Sequence, residues 1–520
     1  MNPFVFFIAA ILICGFVVIG VTFTEAVATR VEALQSFIVQ TFGWFYIASV
    51  GGIVLFVIWL MFSRFGNIRL GPNDSRPEYN RLTWFAMLFS AGMGIGLLFY
   101  SVAEPILHYS HPPRGEGGTI EAATAAMNLT FFHWGLHPWG IYALVGLALA
   151  YFGYRRGQPL TIRSAFYPVL GERIHGPIGN LIDITAVVST LFGVATSLGL
   201  GVMQINTGLG VVFGTPDSVA IQIGLIAGIT AVATASVVSG VNVGIRRLSE
   251  FNVTVGALLC IFVLVAGPTV FLAKFLIQST GYYLQNLPGT TFWTATFRGE
   301  DWLAGWTVFY WGWWISWSPF VGMFIARVSR GRTIREFIIG TLLCPSIATF
   351  VWLSVFGGTA MHQEMNVGGI AEAVDADITI ALFEMLGNLP WGAISSVAAT
   401  LVIISFFVTS SDSGSLVIDI ITSGGHPDPP IRQRLFWAIL EGVVAATLLY
   451  TGYRSGNPSG GLIALQTAAI TTALPFCIIL VLMVYSIWLG LHQEHVSHRR
   501  PEFTPPEMLA LPARNPTKAE

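Results

Sequence analysis

Residues 311–319 read Trp311-Gly312-Trp313-Trp314-Ile315-Ser316-Trp317-Ser318-Pro319, inside an apolar stretch. Four tryptophans fall within seven positions. A membrane helix gains nothing in stability from such a cluster, since Leu, Ile and Val serve as well. Indole faces in a dry site attract cations, and they bind quaternary ammonium groups especially well. The stretch therefore points to a membrane site for a methylated onium compound.

Composition supports the membrane setting. The 520 residues are 54% hydrophobic and only 10% charged, against roughly 25% charge in soluble domains. Runs free of Asp, Glu, Lys and Arg recur along the chain, which predicts an all-α polytopic membrane protein. Residues Phe4–Phe23 are long enough to span. They lack a basic flank and a small-residue cleavage site, so no cleaved signal peptide is expected. Cys14, Cys260, Cys344 and Cys477 lie in apolar stretches without metal-ligand spacing and read as packing residues. The net charge of −2 says nothing about partners.

Twelve spans are expected, at 4–24, 42–62, 84–107, 123–151, 178–213, 219–239, 251–277, 302–326, 336–359, 391–422, 433–451 and 461–490. With a cytoplasmic N-terminus, 20 of the 25 Lys and Arg residues fall on the inner side, which predicts both termini inside. The outer loop 360–390 has no Lys or Arg, and Asp377–Leu386 within it is expected to form a short surface helix. The Pro-rich tail after His492 is expected to be disordered.

Two spans carry breakers at matching places. The third contains Ser90-Ala91-Gly92-Met93-Gly94-Ile95-Gly96, and the eighth contains the Trp311–Pro319 string. Both are expected to be interrupted. They open two sets of five spans, and an odd number per set forces opposite orientation, as in an inverted repeat. Unwound backbone is tolerated where it lines a cavity. Close helix packing is the other reading of the glycines. In the fourth span, Trp134, Trp139 and Tyr142 share an arc of roughly 140°, and Trp313, Trp314 and Trp317 an arc of roughly 100°. Trp44, Trp59, Trp84 and Trp488 suit interfacial belts instead. His133 and His137 read as hydrogen-bonded structural histidines. The tenth span contains Phe406-Phe407-Val408-Thr409-Ser410-Ser411-Asp412. Its hydroxyls suit a small alkali cation, or they bond the carbonyl four residues back. Asp412 is functional by default as an intramembrane carboxylate, or it partners a backbone amide or an inner Arg.

At these residues the chain resembles the betaine/carnitine/choline transporters over roughly 1–490. The specific strings are Trp311–Pro319 with its continuation to Arg327, Arg330 and Arg335, and Gly92–Gly96 followed by Tyr100 and Glu104-Pro105. The resemblance implies 12 transmembrane helices in a LeuT-type 5+5 inverted repeat preceded by two extra helices. Its parts would be 1–83, the first repeat 84–277, a connecting segment 278–301, the second repeat 302–490 and a cytoplasmic tail 491–520. It implies a homotrimer in a bacterial inner membrane. The family's aromatic box falls on Trp134, Trp139, Tyr142, Trp313, Trp314 and Trp317. Gly92, Met93, Gly94 and Gly96 would meet a substrate carboxylate with backbone N–H groups. A sodium site would take carbonyls of Ser90, Met93 and Phe406 and hydroxyls of Thr409 and Ser410. A second sodium site would draw on Thr190 and Phe320, but Val194 stands where a further hydroxyl is expected. The absence of Arg in the seventh span, with Val321 after Phe320, favours sodium coupling over sodium-independent exchange. Proton-coupled choline members resemble this chain with Asp in place of Gly96. A net cation needs that carboxylate and a zwitterion does not.

The expectation is a sodium symporter that imports a zwitterionic methylated onium solute such as glycine betaine or dimethylsulfoniopropionate. The alternative is a choline or carnitine transporter, proton-coupled or exchanging. No nucleophile–His–acid set, zinc spacing or nucleotide loop points to an enzyme. No cofactor beyond the coupling ion is expected, and no nucleic-acid partner. A channel would not need an aromatic site for one solute. The short tail predicts little osmotic activation.

Overall fold

The computed structural model describes residues 2–92, 94–238, 242–457 and 459–497. The helices are α1 (Pro3–Thr22), α2 (Thr24–Phe62), α3 (Arg81–Gly92), α4 (Ile95–Ser110), α5 (Ile120–Trp134), α6 (Leu136–Ala150), α7 (Tyr167–Leu170), α8 (Pro177–Phe213), α9 (Val219–Val238) and α10 (Asn242–Ala266). They continue with α11 (Thr269–Thr291), α12 (Glu300–Leu303), α13 (Phe309–Val328), α14 (Ile334–Asn366), α15 (Ile370–Ala376), α16 (Ala381–Gly387), α17 (Gly392–Thr422), α18 (Ile431–Arg454) and α19 (Gly460–Ser497). Among the described residues there is no strand, only an isolated bridge between Arg69 and Thr333. Nine helical segments there are long and apolar enough to cross a membrane. The protein is thus an all-α polytopic membrane protein. Helical segments also occupy the other three expected spans, at α3–α4, α9 and α12–α13.

The third span is interrupted as expected. The chain leaves α3 at Gly92 and re-enters helix after Gly94, whose backbone is extended (φ −156°, ψ −177°). The eighth is not. Helix α13 runs unbroken through Pro319. Proline removes the N–H that Ile315 O would accept, and the Ser318 hydroxyl donates to that carbonyl instead (2.7 Å). The irregularity there lies upstream, in a π-turn at Ala304–Val308. A break the breaker count did not predict divides the fourth span at Gly135, between α5 and α6.

Other boundaries also differ. The expected span 251–277 ends at Ala266, because Pro268 starts α11 and residues before proline are pushed out of the helical region. Most of 278–301 is therefore helix. Residues 25–41, expected as a loop, continue into α2. The outer segment 377–386 is helical as a short turn plus α16. Trp44, Trp59 and Trp488 are exposed, but Trp84 is buried. Its indole donates to Ser329 Oγ (3.0 Å) under the Arg332 guanidinium, so it packs the core rather than an interface. Residues 498–520, which include most of the expected tail, lie outside the described residues.

Packing places the site. Helix α13 lies against α6, α8 and α19. Helix α4 lies against α5, α8 and α14, and α17 packs on α8, α10 and α18. The tryptophan-bearing faces of α5, α6 and α13 thereby converge on the N-terminus of α4.

Candidate functional site

All six aromatic residues singled out in the sequence, with Gly94 and Gly96, line one cavity. Leu97, Pro138 and Thr349 complete its wall. Its space is about 430 Å³ counting the opening to solvent. The rings hold one another. Trp313 and Trp314 stack (4.6 Å, 13°), Trp134 meets Trp314 edge-on (4.9 Å) and Trp139 meets Tyr142 edge-on (5.5 Å).

Four of the indole N–H groups are bonded within the protein. Trp313 Nε1 donates to Ser197 Oγ (3.0 Å) and Trp317 Nε1 to Gly193 O (3.1 Å). Trp314 Nε1 donates to His133 O (2.9 Å). His133 stands in the last turn of α5, where carbonyls lack intrahelical partners, so the break at Gly135 supplies an acceptor for a box tryptophan. Trp134 Nε1 donates to Glu104 Oε2 (2.7 Å). These four tryptophans offer a ligand only their ring faces.

The glycine arm meets these rings closely. A Cβ on Gly96 would clash with Trp313 Cη2, and would lie 3.1 Å from Trp313 Cζ2 and 3.2 Å from Trp134 Cη2. A Cβ on Gly94 would lie 3.4 Å from Trp317 Cη2. Gly96 is therefore a packing requirement in this conformation as well as the absence of a charge. Gly92 ends α3, and Met93 lies outside the described residues.

The candidate ion residues are placed less completely together. Phe406, Thr409 and Ser410 share α17. The Thr409 hydroxyl donates back to Ser405 O (3.1 Å) and Phe406 O (3.2 Å), and it accepts from Asn252 Nδ2 (3.2 Å). Asn252 of α10 also bonds the Ser405 hydroxyl and was not anticipated. Of Ser90 only the helical backbone in α3 is described. In the second set, the Thr190 hydroxyl bonds Ala186 O (2.7 Å), and the Phe320 ring meets Trp317 edge-on (5.4 Å). Asp412 pairs with Arg434 (2.7 Å), which gives it the structural partner weighed above.

Both histidines are buried and hydrogen-bonded. His137 Nε2 lies 3.0 Å from Thr291 Oγ1. His133 sits between Glu104 Oε1 (2.6 Å) and Thr307 Oγ1 (2.9 Å). The sequence reading missed Glu104 itself. It is fully buried and meets Trp134, Tyr310 (2.5 Å), His133 and His108 (3.3 Å). The available signal was a carboxylate within an apolar span, quoted only as part of a motif.

Comparison with known proteins identifies the family. A family model described as BCCT, betaine/carnitine/choline family transporter, matches residues 4–496. An uncharacterized transporter of Mycobacterium tuberculosis (strain ATCC 25618 / H37Rv) is 50% identical over 95% of this chain and 83% of its own length. A glycine betaine transporter of Acinetobacter baylyi is 45% identical over 94% of this chain and 73% of its own. A glycine betaine/proline/choline transporter of Vibrio parahaemolyticus is 45% identical over 94% and 90%. The match spans the tryptophan helix, the glycine arm and nearly everything between and around them, and on that extent the chain belongs to the betaine/carnitine/choline transporter family.

Proposed function

We propose that this transporter imports a zwitterionic methylated onium solute of the glycine betaine kind by sodium symport. The observation that carries the reading is a single cavity with two chemistries. Stacked tryptophan faces attract an onium head. The N-terminus of α4 opens on the same space at Gly94 and Gly96. Its first N–H groups lack intrahelical partners and carry partial positive charge, which suits a carboxylate. A zwitterion with its charges a few ångströms apart matches both ends at once.

Sodium coupling rests on the hydroxyls of Thr409 and Ser410 on α17, with carbonyls of Phe406, Ser90 and Met93 as the remaining donors. The ion would hold α17 to the broken third span and so favour the open cavity. The transporter would work as a LeuT-type inverted repeat, as a homotrimer, in a bacterial inner membrane with both termini inside. A second reading, choline transport, is favoured by the Vibrio parahaemolyticus relative, a glycine betaine/proline/choline transporter. It is disfavoured by the absence of a carboxylate at position 96.

Uptake of radiolabelled glycine betaine into proteoliposomes, with and without an inward sodium gradient, tests the proposal. Unlabelled choline, carnitine, ectoine and dimethylsulfoniopropionate serve as competitors. Sodium-driven accumulation blocked by zwitterions is the expected result. Uptake indifferent to sodium, or blocked best by choline, would overturn it.

A further inference from the structure

Glu104 lies one layer behind the aromatic cavity, on the same helix whose N-terminus opens into it. One carboxylate group there engages four side chains from three helices. Oε2 accepts from the indole of Trp134 on α5 (2.7 Å) and the hydroxyl of Tyr310 on α13 (2.5 Å). Oε1 meets His133 Nδ1 on α5 (2.6 Å) and His108 Nε2 one turn along α4 (3.3 Å). None of the five side chains is more than 6% exposed.

We propose that Glu104 is a positioning residue for the onium site, which rests on the binding reading above. Its grip on the cavity has three routes. Trp134 is held directly by its N–H. Tyr310 is held by its hydroxyl, and its ring stacks on Trp314 (5.7 Å, 26°) while meeting Trp134 edge-on (5.6 Å). The His133 ring is pinned between Glu104 and Thr307, and the backbone carbonyl of the same residue accepts from Trp314 Nε1. Trp134 thus has Glu104 as its acceptor, and Trp314 is reached from Glu104 through Tyr310 and His133. The carboxylate also ties α4, which would meet the substrate's anionic end, to the rings that would meet its cationic end.

The chemistry of the set distinguishes positioning from bulk packing. Trp134 has a donor and no acceptor, so Oε2 must remain an oxygen. A neutral imidazole has one donor and one acceptor nitrogen, and either ring nitrogen can take either role. A glutamine at 104 can therefore turn its oxygen to Trp134 and Tyr310 and its amide N–H groups to His133 and His108. An alanine leaves two buried donors without a partner and frees both rings.

The experiment is uptake of radiolabelled glycine betaine into proteoliposomes for Glu104→Ala, Glu104→Gln, Trp134→Phe and the double variant Glu104→Ala/Trp134→Phe, with substrate-induced quenching of tryptophan fluorescence as an independent binding readout. Glu104→Ala is expected to raise KM about tenfold, the scale of losing hydrogen-bonded order in a buried network, with Vmax within about twofold. Glu104→Gln should return KM to within about threefold of the native protein by the acceptor argument. In the Trp134→Phe background the alanine change should raise KM by clearly less, because contacting residues are not additive. A native KM in Glu104→Ala, a glutamine no better than alanine, or full additivity with Trp134→Phe would each overturn the proposal. If Glu104→Ala does not accumulate in the membrane, Tyr310→Phe removes one donor and leaves the carboxylate. It should raise KM about threefold, near the net value of one hydrogen bond, and an unchanged KM would count against the proposal. Trp314→Leu separates the two readings: if it spares binding, the aromatic site itself fails, and if it alone abolishes binding, only the role of Glu104 fails.

Discussion

Adding one methyl at Gly96 should damage transport far more than adding one at Gly94, although both glycines line the cavity. At position 96 the new carbon meets Trp313 Cη2 in a clash and stands 3.1 Å from Cζ2 and 3.2 Å from Trp134 Cη2. Carbon atoms settle at about 3.5–4.0 Å, so the tip of Trp313 must retreat by about 1 Å. It has little room, being stacked on Trp314 at 4.6 Å and on Phe309 at 5.5 Å, with its N–H fixed to Ser197. Overpacking of this kind costs about 1–3 kcal/mol. If the ring yields by leaving its binding orientation, that range corresponds to a KM raised by about 5- to 150-fold. At position 94 the methyl would stand 3.4 Å from the tip of one ring, Trp317. A few tenths of an ångström relieves that contact, and KM should rise by no more than about threefold, near 0.6 kcal/mol. Glycine betaine uptake into proteoliposomes over a range of concentrations measures both, with detergent melting temperature as a check on folding. Equal KM values for Gly96→Ala and Gly94→Ala, in proteins of equal stability, would refute the steric reasoning.

Trp314→Leu should raise the apparent KM more than tenfold at normal surface expression, from about 2 kcal/mol of lost cation–π attraction in a dry site. Unchanged uptake would remove Trp314 from the site. Thr409→Ala with Ser410→Ala should weaken the dependence of uptake on sodium concentration, and an unaltered sodium curve would reject those hydroxyls as ion ligands. Ser318→Ala leaves Ile315 O without the hydroxyl that replaces the missing proline N–H. It should lower the detergent melting temperature, at about 1 kcal/mol for one buried hydrogen bond. A melting temperature equal to that of the native protein would mean that the helix carries the proline unaided.

The aromatic site was legible because indole side chains at helical spacing announce a shared face, and because the strings around Gly94 and Trp314 are specific enough to name a family. The break before α4 was legible for a similar reason: three glycines in five positions leave nothing to hold a helix. The break at Gly135 was not, since a single glycine in an apolar run has the same look as one that packs a helix neighbour. Pro319 misled in the other direction. A serine hydroxyl one residue earlier supplies what the proline lacks, and proline statistics do not include that compensation. Glu104 was visible as a letter but not as a hub. Three of its four partners lie 29, 30 and 206 positions away in the chain, and nothing local brings those together. The hydroxyls on α17 were found by composition, while Asn252, which bonds Thr409, comes from another helix and carried no signal of its own.

The bonding of the indole N–H groups has a consequence for what the cavity refuses. Trp134, Trp313, Trp314 and Trp317 spend their only polar group on the protein, and indole has no acceptor to offer. Among the described side chains lining the space, only Tyr142 and Thr349 carry an oxygen. A trimethylated nitrogen brings its charge without a single N–H and so leaves no donor unpaired on entering. A primary ammonium brings three donors, and each one left unpaired on leaving water costs about 1–3 kcal/mol. Free glycine would therefore be turned away not by its size, which is smaller, but by hydrogens for which the walls have few acceptors.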